Sequence, residues 1–245
     1  MSFVLQVDLC ALVLVLAAIQ SVFGVGLLVF GTPMLLLIGF PFPVVLAYLL
    51  PCSLVISTFQ IVHGGLTLEP IRQKLLTFTA PAVLCGTFLI LVVLKHKVDV
   101  RLIVGTMLVI TAGLRLLRPA RHKMHSFVRA KLSPLLILLG LLHGISNLGG
   151  GVLTFVVGSV YEDKHNVRKH IAFGYGLMAL LQMLVLFLTT PVRVSPSLWL
   201  GLPLLSALSY ALVGRWLFEM AGESVYQWSL TALIGVFGIL LFIPG

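Results

Sequence analysis

The sequence predicts an all-α polytopic membrane protein of two inverted repeats, each a glycine-broken re-entrant helical hairpin followed by three transmembrane helices. Three observations predict it. Of 245 residues, 60% are hydrophobic and 9% charged, whereas a soluble domain is roughly a quarter charged. Eight apolar stretches follow one another, at about 10–30, 43–62, 76–94, 102–117, 134–160, 171–190, 196–213 and 226–243, most of them near the ~20 residues a helix needs to cross hydrocarbon. The first and the fifth of these are interrupted by glycine.

The first stretch runs from Cys10 to Phe30 and continues to residue 40. It has no basic leader and no cleavage site before a polar region, so it reads as part of the fold and not as a signal peptide. It is broken at Phe23-Gly-Val-Gly26, then punctuated by Thr32-Pro33 and Pro41-Phe-Pro43. The fifth stretch, Pro134 to Val160, carries Asn147-Leu-Gly-Gly-Gly151 in its middle. Each glycine in a helix costs about 1 kcal/mol relative to alanine. At membrane depth a break is tolerated only where it is buried or lines a cavity. Sliding the chain on itself by 122–125 residues lays Gly24-Val-Gly26 on Asn147-Leu-Gly149, Pro81 on Pro203 and Gly113 on Gly238. The repeats are therefore expected at 1–117 and 132–245, joined by a linker at 118–131. Broken segments in corresponding positions of two halves point to a transporter binding site.

The net charge of +9 sits in short loops, a pattern that speaks for cytoplasmic loops and against nucleic acid. Arg115, Arg118, Arg121, Lys123, Arg129 and Lys131 make the segment 115–131 the strongest cytoplasmic signal. If all eight stretches cross, nine Lys and Arg lie inside and seven outside. If the two broken stretches return to their own side, twelve lie inside and four outside. The second topology obeys the positive-inside rule far better and inverts the second half. The expected location is the cell (plasma or inner) membrane, with the linker cytoplasmic and lipid as the surrounding partner.

The breaks also carry the expected chemistry. Glycine-rich residues 147–151 expose backbone N–H groups, and a helix starting there, near residue 151, presents its positive end. A second such end near Gly24–Leu28 would complete a site for a compact oxyanion. A close helix crossing through small residues is the alternative. The candidate substrate-binding residues are Gln20, Gly24, Gly26, His143, Ser146, Asn147, Gly149, Gly150 and Gly151. Gln20 and Asn147 are the expected hydrogen-bonding side chains; His143 is a candidate for proton coupling, or a neutral ring bonded to backbone. Ser53, Ser57, Thr58, Gln60, Tyr175 and Gln182 lie on the following helices, and Ser57 and Gln182 read as glue between helices. No carboxylate lies in mid-stretch, which argues against a cation pump. No hydrolase or phosphate-loop motif occurs, so an enzyme is not expected. The three cysteines have no metal-ligand spacing, so neither a metal nor a cofactor is expected.

The run Gly140-LLHGISNLGGGVLTF155 resembles the glycine-rich signature of the TauE/SafE sulfite exporter family, which carries a G-x-x-x-G…G-x-G-G-G pattern early in each of two repeats. Gly149, Gly150 and Gly151 match it, with Asn147 where glycine is common. In the first half Gly24, Gly26 and Pro33 match, while Leu27 and Leu28 replace the following glycines. The resemblance implies a secondary transporter moving sulfite or small organosulfonates outward, driven by the proton gradient. Transport of another solute, such as an amino acid or another anion, and a scaffold role in the membrane stay open.

Overall fold

The computed structural model describes residues 3–65, 69–94, 100, 102–106, 121–161, 163–220 and 222, and among these all regular structure is helical. Nine helices carry the argument: α1 (Phe3–Phe23), α2 (Leu27–Leu37), α3 (Phe42–Gly64), α4 (Pro70–Leu94), α5 (Arg121–Ala130), α6 (Leu132–Ser146), α7 (Gly149–Val160), α8 (Lys164–Thr189) and α9 (Pro196–Met220). Helices α1, α3, α4, α8 and α9 are long and apolar enough to cross a membrane; α2, α6 and α7 are apolar but shorter. The expected stretch at 226–243, most of that at 102–117, and Gly113 and Gly238 lie outside the described residues. Within the linker, 121–130 is helical and Val128 is buried.

The two interrupted stretches each fold as two helices. The first begins at Phe3, earlier than its apolar run, because the single acid Asp8 is exposed and does not end the helix. A Cβ added at Gly26 would lie 2.7 Å from the Gln20 backbone nitrogen, and one at Gly31 would lie 3.1 Å from Leu16. Helix α2 therefore runs back along α1. The fifth stretch turns at Asn147 and Leu148, and α7 then starts at Gly149. This corrects the expected start near residue 151: the three glycines are the first turn of a helix, where backbone N–H groups have no intrahelical partner anyway.

Helices α3 and α8 pack along each other at the centre. Gly64 faces Lys169 and Gly176 faces Ser57, so the two run antiparallel. Around this pair, α4 packs on α6 and α9 packs on α1. The α4–α6 contact is a small-residue crossing. Cβ atoms at Gly140 and Gly144 would lie 2.6 Å from the Thr79 carbonyl oxygen and 2.5 Å from that of Val83. Thr79 Oγ1 also donates to the Leu136 carbonyl at 3.0 Å. Lipid offers no hydrophobic gain for this association, so close backbone approach and such bonds supply it. Outward faces carry Leu184, Leu188, Leu204, Leu208 and Leu212, all exposed, the surface hydrocarbon accepts and water does not.

One polar knot fixes the end where α4 and α8 begin. Glu69 pairs with Lys169 at 3.0 Å and lies 2.8 Å from His170 Nε2. Tyr161 donates to the same carboxylate at 2.8 Å and stacks on His170. Burial, and then this bond, push the Tyr161 phenol up to about 12, so it stays a donor at working pH.

Candidate functional site

The breaks are built from matching parts. At the offset seen in the sequence, Gly24 and Asn147 are the turning residues, with φ of 75° and 63°. Only glycine enters that region freely, and asparagine is among the few other residues that do. Two residues later, Gly26 packs on Gln20 and Gly149 packs on His143, where a Cβ would come within 2.7 Å and 2.5 Å.

A glutamine adds side-chain bonds to the last carbonyls before each break, of which those of Gln20 and His143 also accept from the Gly24 and Asn147 N–H groups at 2.8 and 2.7 Å. Gln60 Nε2 donates to the carbonyls of Gln20 and Ser21, both at 3.0 Å. Gln182 Nε2 donates to those of His143 and Gly144, at 3.4 and 3.3 Å. Gln60 lies on α3 and Gln182 on α8, so the central pair holds both breaks. The reading of Gln182 as glue fits this bond. Ser57 accepts from Gln20 Nε2 at 3.4 Å, alongside two closer bonds to Ser53.

The breaks also meet each other. Gly150 faces Tyr175, Val29 and Val25, with a Cβ at 2.8, 2.9 and 3.1 Å from them. Asn147 Nδ2 donates to Thr32 Oγ1 at 2.8 Å, which ties the second break to α2. Tyr175, on α8, bridges the two. Its ring lies against Gly150 and edge-on to His143, with centroids 6.0 Å apart. Its hydroxyl is turned toward the backbone of Gly26, Leu28 and Val29.

All nine residues singled out from the sequence are buried, and the fold gathers them at these two turns. Their roles divide. Gly24, Gly26, Gly149 and Gly150 allow the turns and the approach. Ser146 donates to Leu142 at 2.6 Å and accepts from the Leu148 N–H at 3.3 Å, so it finishes α6. Gly151 completes the first turn of α7 and accepts from Thr154 at 2.8 Å. Gln20 and Asn147 spend their N–H groups on protein partners. Among the described residues, Gln20 Oε1, Asn147 Oδ1, Gln182 Oε1, both His143 ring nitrogens and the Tyr175 hydroxyl are buried with no hydrogen-bond partner. A concentration of such groups calls for an explanation in native proteins, since each costs about 1–3 kcal/mol. Neither α2 nor α7 has a side-chain cap on its N-terminus. Two helix N-termini, each carrying roughly half a positive charge, thus lie beside these buried polar groups.

Thr32 and the bridging position of Tyr175 were not foreseen. Thr32 stands out in the sequence only as the residue before Pro33, and nothing local links it to residue 147.

A protein-family model for the sulfite exporter TauE/SafE matches residues 9–241. No curated protein and no solved structure matches the chain. The family model covers both breaks, the helices that hold them and nearly all of the chain, so the protein belongs to the sulfite exporter TauE/SafE family.

Proposed function

We propose that this protein is a secondary transporter that exports a small sulfur oxyanion or organosulfonate, coupled to the proton gradient, by alternating access around the two breaks. One observation carries the reading: the uncapped N-termini of α2 and α7 approach each other across Tyr175 and Gly150. Positive helix ends in a water-poor site favour an oxyanion without a buried arginine. His143 is the titratable side chain at this point and is the candidate for proton coupling. Family membership supports export of a sulfur compound.

The architecture in this reading is a pair of inverted repeats, 1–117 and 132–245, around the basic linker at 118–131. The doubling back of α2 along α1 and the antiparallel run of α3 and α8 support it. Alternating access is then a rocking of one repeat against the other. The linker and the start of α8 face the cytoplasm of a cell (plasma or inner) membrane.

The test is sulfite flux in inside-out vesicles. Gly150→Leu should reduce it more than tenfold while insertion and yield stay normal; normal sulfite flux in that variant removes the breaks as the site. His143→Gln should keep downhill flux but lose its stimulation by a pH gradient, and retained stimulation would remove His143 as the coupling group. A thermal-shift screen of anions against cations separates the readings further. Stabilisation by a cation alone would sink the anion assignment.

A further inference from the structure

Three buried glutamines at the breaks have amides whose direction is fixed by backbone carbonyls. Gln20 Nε2 donates to the Ser53 carbonyl at 3.0 Å, Gln60 Nε2 to the carbonyls of Gln20 and Ser21, and Gln182 Nε2 to those of His143 and Gly144. A carbonyl only accepts, so the nitrogen must be the atom that faces it and the amide oxygen points elsewhere. All three of these oxygens are buried and have no hydrogen-bond partner in the protein. Asn147 differs, because its partner, the Thr32 hydroxyl, can serve either end of an amide.

The placement follows the repeat. Gln20 and His143, Ser53 and Tyr175, and Gln60 and Gln182 correspond at the same offset of 122–125 residues that lays one break on the other. Ser57, which accepts from Gln20 at 3.4 Å, faces Gly176, the neighbour of Tyr175. Gln182 lies about two turns beyond Tyr175 on α8. His143 Nδ1, also without a partner, lies 3.0 Å from a Cβ placed on Gly149, the first residue of α7. The N-termini of α2 and α7 favour an anion. An amide oxygen offers only lone pairs, so it repels a fully deprotonated oxyanion and needs an N–H or O–H. Both demands are met by an anion that brings its own donor.

We infer that the break site takes a compact monoanion bearing an O–H or N–H group, with Gln20 Oε1 accepting from that group, and so binds sulfite as hydrogen sulfite in preference to the dianion. Gln20 is the acceptor because, of the three glutamines, it lies on a helix that ends at a break. The inference rests on the site of the export reading above, not on flux.

The experiment is calorimetry on the full chain in micelles with three probes: sulfite, hydroxyethanesulfonate and ethanesulfonate. The two sulfonates are monoanions of similar size, and one carries a hydroxyl. The wild type should bind the hydroxylated one about tenfold tighter, because the other leaves a buried acceptor unpaired. Gln20→Met should bring that ratio within about twofold; a merely structural Gln20 would weaken both ligands together and leave the ratio. Sulfite affinity, counted against total sulfite, should fall about tenfold for each pH unit above the point where hydrogen sulfite loses its proton, while affinity for the sulfonates stays level. The level sulfonates separate the ligand's proton from those of the protein, where His143, Tyr175 and, at the Ser21 carbonyl, Arg168 are the titratable or charged side chains described around the breaks. Equal affinity for the two sulfonates in the wild type, as when water alone serves the three oxygens, would overturn the inference and leave export standing. So would sulfite affinity that stays level over that pH range, and a ratio kept in Gln20→Met would overturn the assignment to Gln20. The wild-type comparisons decide the matter should Gln20→Met fail to fold. Sulfite flux absent from vesicles while the tenfold ratio persists would remove export and keep the donor-bearing ligand.

Discussion

Asn147 does two separable things at one position. Its backbone adopts the left-handed turn, with φ of 63°, and its amide donates to Thr32. Asn147→Gly should keep the turn and lose only the bond. Asn147→Ala should lose the bond and also strain the turn, at an extra ~1 kcal/mol. Denaturant unfolding in micelles should therefore rank wild type above Gly and Gly above Ala; equal stability of the two variants would remove the backbone argument. Gln60 works at the same scale. Gln60→Leu should remove one bond from each of the Gln20 and Ser21 carbonyls, which keep the Gly24 N–H and Arg168 as donors, and cost about 1 kcal/mol, within the range of polar contacts between membrane helices. A neutral effect in the same assay would show that the remaining donors suffice.

At the scale of elements, the α4–α6 contact is governed by glycine at two points one turn apart. A Cβ at Gly144 would lie 2.5 Å from the Val83 carbonyl oxygen and 2.6 Å from the Thr87 nitrogen. Both are backbone atoms and cannot rotate away. Gly144→Val should thus separate the helices and cost about 2–3 kcal/mol, read as a lower midpoint of unfolding; an unchanged midpoint would mean that the crossing is looser than described. Helices α4 and α9 each contain one π-helical turn, at Leu75–Thr79 and Tyr210–Gly214. These turns sit at different depths in two 25-residue helices, so they do not follow the repeat. The one in α9 brings Gly214 directly onto Ser21 at the first break; for the one in α4 we have no physical account.

At the scale of the molecule, the prediction concerns sides. If both broken stretches return to their own face, Lys74, Lys164 and Arg215 lie on one side of the membrane and Arg193 on the other. Single cysteines at these positions, in a background without Cys10, Cys52 and Cys85, should label from the cytoplasm at the first three and from outside at Arg193. Labelling of positions 164 and 193 from the same side would contradict the inverted arrangement. The Glu69 knot holds the proposed cytoplasmic end together. Glu69→Gln should destabilise it by leaving Lys169 without its carboxylate, a loss visible as faster proteolysis near residues 65–70.

The sequence by itself determined the solvent and the units. Sixty per cent hydrophobic residues and a few clustered charges admit only apolar helices, and glycine at matched places marks where two of them stop. Those signals are local, because helix formation and turning depend on neighbours along the chain. Only the tertiary structure decided how the polar residues are spent. Gln20 and Asn147 look equally available in the sequence, yet their donors go to Ser53 and Thr32. Gln182 looks like simple glue, and it holds the end of α6. Arg168 and Lys169 are adjacent basic residues, but one pairs with Glu69 while the other is buried over Phe218. These outcomes depend on partners about 30 to 150 residues away, which meet only once α3 and α8 have packed. The three glycines at 149–151 mark a break in the sequence, and in the structure they are the first turn of a helix, with Gly150 packed against Tyr175 and α2.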